Sequence, residues 1–99
     1  MKLIELEPRW IHPNLFVFKC PHCLKVLLSC KNIVMPEQEQ HDLFEKALGE
    51  DWNMIVVGCK DKMAWTISNT DFTTMTVTPS LDASKSGHWH GNITNGEAV

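Results

Sequence analysis

Cys20-Pro21-His22-Cys23 places two thiols three positions apart around a proline. On a tight turn that spacing aims both sulfurs to one side, with the intervening backbone amides available to hydrogen-bond them. Zinc is tetrahedral and takes thiolates at about 2.3 Å, so such a pair is half of a zinc site. Redox chemistry would need the C-x-x-C at the start of a helix in a βαβ setting. Here Val- and Leu-rich residues follow, which favours a strand and a metal pair. The remaining ligands must come from elsewhere. His88-Trp89-His90 offers two imidazoles, and residues two apart on a strand project from the same face. Cys20, Cys23, His88 and His90 would then complete a Cys2His2 set. Cys59, after Gly58 at an expected strand end, is an alternative ligand, and His22 is a further candidate. Cys30 alternates in step with Leu28 and reads as a core thiol. His12 beside Pro13 and His41 on a polar helix face read as solvated.

The interval between Cys23 and His88 far exceeds that of a C2H2 finger, and no recognition helix lies within it. Leu24 also stands where a glycine often follows the second cysteine of a knuckle. A second ligand pair would therefore have to close a long loop across the fold. No serine, cysteine or carboxylate arrangement suggests nucleophilic or acid–base catalysis. Asp61, Asp71 and Asp82 sit near turn signals, where aspartate caps backbone amides, and Ser80 after Pro79 reads as structural. Trp10, Trp52, Trp65 and Trp89 read as core, with Trp89 the one to test for partner contact.

These side chains need elements to position them. Residues 2–7 alternate polar and apolar with one slip and predict a strand ended by Pro8. Residues 15–19 and 25–30 predict two strands of a hairpin with the cysteine pair at its tip. Pro36, acids in the first turn and Gly49 punctuate a helix over 36–49, with Leu43, Phe44, Ala47 and Leu48 on its apolar face. Residues 54–57 read as a short buried run, and 63–68 and 73–78 as further strands. Residues 82–87 read as a loop, and 88–94 as a last strand before the Asn95-Gly96 turn. The fold class is α+β, mostly β: a small antiparallel β-rich domain of six or seven short strands, one amphipathic helix and a CxxC zinc knuckle. Residues 1–99 form one domain.

Composition narrows the function. A hydrophobic content of 43% suits a globular domain rather than a disordered chain. The net charge of −3 and the absence of any basic run disfavour nucleic acid as a partner. Lys19, Lys25 and Lys31 could make a local basic patch, but read better as solvated lysines on an exposed strand face. No apolar run reaches the roughly 18–20 residues that span a bilayer, and the N-terminus carries no export signal. The expected location is the cytoplasm, where cysteines serve as metal ligands or buried thiols rather than disulfides.

Three stretches together resemble a group of small phage and bacterial proteins that carry the label ammonia monooxygenase. They are Leu6 to Trp10, the knuckle Phe18 to Cys23, and Thr76 to Leu81 followed by Gly87 to Glu97; the middle of the chain, about 34–60, is unmatched. In that group the last segment presents a histidine, matching His90, preceded by a cysteine or histidine, matching His88. Ammonia oxidation belongs to large membrane metalloenzymes, which a chain of 99 residues without a membrane span does not resemble. The resemblance implies instead a phage or prophage accessory protein that binds and modulates a host or defence protein. A metal-dependent enzyme using His88 and His90, or a nucleic-acid-binding zinc ribbon, are the alternatives.

Overall fold

The computed structural model describes residues 1–58 and 60–99; Cys59, read above as an alternative ligand, lies outside the described residues. The described strands are β1 (Arg9–His12), β2 (Leu15–Lys19), β3 (Leu27–Lys31), β4 (Val56–Gly58), β5 (Thr66–Ile67), β6 (Val77–Asp82), β7 (His90–Thr94) and β8 (Glu97–Ala98). They form two four-stranded sheets, ordered β1-β2-β3-β4 and β5-β6-β7-β8. The helices are α1 (Glu37–Leu48) and a single turn, α2 (Trp52–Ile55). The mostly-β fold with one main helix agrees with the sequence pattern.

Strand β2 explains the layering. Leu15, Phe16, Val17 and Phe18 are all buried, and alternation along a strand sends two of them to each side of the sheet. Phe16 and Phe18 join Leu28, Cys30, Val77, Leu81, Trp89 and Ile93 in a core between the two sheets. Leu15 and Val17 join Met35, Phe44 and Val56 in a second core under α1. The order of layers is thus helix, first sheet, second sheet. The far face of the second sheet is polar: β7 alternates exposed His90, Asn92 and Thr94 with buried Gly91 and Ile93.

α1 starts at Pro36 and stops at Gly49, whose φ of 91° few side-chain-bearing residues adopt. Its inward residues are Gln40 and Phe44, with Leu43 and Leu48 partly covered; Ala47, expected inside, is exposed. Gln40 is held inside because its side-chain amide donates to the Met35 and Asp61 carbonyls at 2.9 and 3.1 Å. The helical connection turns the chain around so that β4 pairs parallel to β3, Leu27 opposite Val56. Every other strand pairing is antiparallel.

Several expected elements take another form. The first segment is a 3-10 turn, Leu3–Leu6, not a strand. Leu3 and Leu6 lie three apart, so one turn of helix drops both into the inter-sheet core, while Lys2 bridges Glu97 at the edge of β8. The short run at 54–57 divides into α2 and β4, leaving Met54 exposed. The strand expected at 63–68 shrinks to β5, and that at 73–78 starts later, as β6. Lys31 is not solvated. It is fully buried, its ammonium 5.1 Å from the centre of the Trp65 ring and 4.0 Å from Asp61 Oδ1. The Trp65 amide donates to the Lys31 carbonyl at 2.8 Å, so the 61–65 segment closes over that strand end. Lys19 is ion-paired with Glu7. The three lysines therefore form no common basic patch.

Gly58 sets the spacing between the sheets where β4 meets Ala83: an added methyl group would lie 2.6 Å from Ala83 Cβ and 2.8 Å from Leu28 Cδ2. Gly58→Ala is expected to lower stability by about 1–3 kcal/mol through overpacking. The measurement is a urea titration, in which the midpoint falls while the slope is unchanged.

Candidate metal centre

The cysteine pair sits on the turn between β2 and β3. Cys20 follows the last residue of β2 and lies two residues beyond Phe18, so its buried side chain belongs to the inter-sheet core. The turn is closed by two backbone hydrogen bonds, Cys20 N–H to the Val26 carbonyl at 2.9 Å and Leu24 N–H to the Cys20 carbonyl at 2.8 Å. Leu24 adopts a left-handed conformation, φ 59°, at the position where a knuckle often carries a glycine. Leu24 is nevertheless a leucine, and its side chain is exposed.

Cys23 is half-buried on the same turn. The backbone amides of Lys25 and then Val26 point at its sulfur and hold its thiol below the ordinary cysteine range, with the Cys20 side chain adding to the effect against some burial. Amides converging on sulfur favour the thiolate, which is the form that ligates metal. Cys23 is thus disposed for ligation.

The third group is His88. Asp82, at the end of β6, accepts from the Ser84 amide at 2.9 Å and the Ser84 hydroxyl at 2.5 Å. The Ser84 hydroxyl and amide hold the Asp82 carboxyl below its usual value, with smaller help from the charges of His90 and Lys85. This starts a 3-10 turn, Ser84–Ser86, that ends at Gly87 with φ 80°. The chain then doubles back. Ala83 donates to the Trp89 carbonyl at 2.9 Å and its own carbonyl accepts from His88 N–H at 3.0 Å. Trp89 is buried edge-on against Phe18, ring centres 6.1 Å apart. One aromatic contact between the sheets therefore seats Cys20 and His88 side by side, each within two residues of it.

Cys23 Sγ lies 3.7 Å from His88 Nδ1, and the ligand atoms of Cys20, Cys23 and His88 all lie within 4.8 Å of one another. A tetrahedral ion with bonds of about 2.3 Å to sulfur and 2.0–2.1 Å to nitrogen separates its ligand atoms by roughly 3.5–3.8 Å. The three side chains are close enough to hold a metal ion, and the Cys23–His88 separation already falls in that range.

The other residues read as candidates lie elsewhere. His90 stands on the outward, polar face of the second sheet, its Nε2 3.4 Å from Ser80 Oγ and its backbone opposite Asp82. It is not in the three-residue group. His12 accepts from the Asn14 amide in the β1–β2 turn, at 3.1 Å, and His41 packs at a tilt against Trp52 with ring centres 4.7 Å apart. His22 is exposed on the knuckle. Cys30 is buried in the inter-sheet core, as its alternation with Leu28 suggested. Trp89, considered for partner contact, is an interior residue that anchors the site.

A shallow pocket of about 170 Å³ is lined by Lys2, Ile4, Thr73, Asn95, Gly96 and Glu97, with no histidine or cysteine in its wall. That is below the roughly 300 Å³ at which small-molecule sites begin. No helix among the described residues is long and apolar enough to cross a membrane. No family model, curated protein or solved structure matches the chain.

Replacement of His88 by Ala is expected to weaken metal retention by more than the roughly 10–100-fold that changes around a ligand cost. His90→Ala, altering a residue outside the group, is expected to leave retention near that of the parent chain. Competition with a chromophoric chelator, run on both variants alongside Cys23→Ser, reads the difference. Equal losses at His88 and His90 would return His90 to the site.

Proposed function

We propose that Cys20, Cys23 and His88 hold a structural zinc ion, and that the domain works by binding another protein. The donor set supports zinc: two thiolates and an imidazole are borderline-soft ligands that suit a tetrahedral ion without redox chemistry of its own. The observation that carries the structural role is where the ligands come from. Cys20 and Cys23 belong to a turn of the first sheet, and His88 to the loop leading into a strand of the second, 65 positions along the chain from Cys23. An ion there would fasten one sheet to the other.

The binding role rests on two features. The pocket beside Lys2, Ile4 and Glu97 lies apart from the cysteines and His88. Beside the ion, Leu24 exposes an apolar side chain in a backbone conformation that costs a leucine about 1–2 kcal/mol and a glycine nothing. An exposed leucine held at that cost fits a surface anchor. A host or defence protein is the partner class that the sequence resemblance suggests.

Apparent zinc-binding free energies in small domains are about 10–16 kcal/mol, comparable with the whole stability of a chain this size. Chelation is therefore expected to unfold the domain cooperatively, read by circular dichroism, and one zinc per chain should be found by elemental analysis of the native protein. Stripped protein that stays folded while losing a turnover would make the ion catalytic. For the surface role, Leu24→Gly is expected to keep the zinc and match or exceed the parent's stability while weakening capture of the partner. Unchanged capture would remove Leu24 from the interface.

A further inference from the structure

We propose that Cys23 is a site of reversible oxidation by hydroperoxides, with Cys20 as its resolving thiol and loss of the metal as the consequence. The inference rests on the reading of Cys20, Cys23 and His88 as a metal centre. It comes from the unequal access of two sulfurs that share one turn. Cys20 is fully buried, while Cys23 is half-buried on the outer part of the turn, so a small oxidant in solution meets Cys23 first. Cys30 is sealed in the inter-sheet core. Susceptibility to oxidation follows thiolate character and access, and a reactive cysteine becomes a switch when a second one stands within reach.

That second thiol is in place. The hydrogen bonds from Leu24 to Cys20 and from Cys20 to Val26 fix both cysteines on a single closed turn, and their sulfurs lie within 4.8 Å. In the first step the Cys23 thiolate attacks one oxygen of the hydroperoxide. The S–O bond forms, the O–O bond breaks, and the departing oxide takes a proton to leave as water or an alcohol. In the second step the Cys20 thiolate attacks the Cys23 sulfur. The S–S bond forms, and hydroxide leaves and takes a second proton. Two thiolates thus give two electrons to the peroxide, and two protons are consumed.

The product cannot ligate as the thiolates did. A disulfide removes two of the three described ligand groups together and leaves His88 alone, which holds a divalent ion weakly. The ion is released and the tie between the two sheets is lost, while the β2–β3 turn becomes covalently closed.

The test uses the full chain loaded with zinc, its stoichiometry measured first, and then exposed to hydrogen peroxide. Zinc release is followed with a chromophoric chelator, thiols are titrated, and the cysteines are mapped by peptide mass spectrometry. The expected result is two thiols lost per zinc released, a Cys20–Cys23 peptide lighter by about 2 Da, and recovery of zinc binding after dithiothreitol. Cys30→Ala is expected to release zinc with the same stoichiometry, which keeps the readout independent of the core thiol. Zinc retained while peroxide is consumed, oxidation mapping first to Cys30 or Cys59, or Cys23 carried to sulfinic acid without a disulfide would each overturn the proposal. A chain that takes up no zinc at all overturns the metal centre itself, and is recognised before peroxide is added.

Discussion

Four successive apolar residues on one strand, Leu15 to Phe18, cannot be covered from one side, because alternation sends two to each face. The chain has to supply a layer above β2 and a layer below it. Below, α1 and its flanks cover Leu15 and Val17; above, the second sheet covers Phe16 and Phe18. Burying a side chain of this size contributes about 1.5–3 kcal/mol, so an uncovered face would forfeit a large fraction of the domain's stability. The site inherits its position from this constraint. Cys20 is two residues beyond Phe18 and faces the same layer, and Phe18 is the residue on which Trp89 rests. The contact that closes the sandwich also delivers His88 to the cysteine turn.

What the sequence made legible follows the same physics. β2 and α1 announce themselves because one is apolar without interruption and the other carries proline, glycine and a stripe of apolar residues. The cysteine turn is visible from its spacing alone. The opening segment misleads because Leu3 and Leu6, three apart, fit a slipped strand nearly as well as one turn of helix. Lys31 misleads because a lysine reads as solvated unless a distant segment covers it, and here Asp61 and Trp65 do so from thirty or more positions away. The parallel pairing of β3 and β4 has no local signature at all, since it depends on where a helical connection brings the chain back.

The histidines show where pattern reasoning stops. His88 and His90 share a face by strand alternation, so the H-x-H spacing could not separate them. The chain before β7 does. Asp82 opens a 3-10 turn, Gly87 reverses the backbone, and the paired hydrogen bonds of Ala83 with His88 and Trp89 hold His88 at the end of the sandwich. His90, two positions further on, has already joined the regular ladder opposite Asp82 and turns to the polar face beside Ser80. A sequence states which residues can ligate; loop closure selects which one arrives.

The two halves of the centre therefore stand on different footings. Cys20 and Cys23 are three residues apart and brought together by local chain geometry, within a turn closed by its own backbone hydrogen bonds. His88 reaches them only when the Trp89–Phe18 contact has formed, which is a property of the folded sandwich. A ligand that binds the folded chain and not the unfolded one stabilises it by the difference in affinity between the two states. For an ion held as proposed, that difference would reside in His88, because an unfolded chain can still offer the cysteine pair. An ion held as proposed would therefore couple to the fold through His88 more than through either thiol. The exposed side of such a clasp would be the outer part of the turn, where Cys23 is half-buried and Leu24 holds its unfavourable backbone.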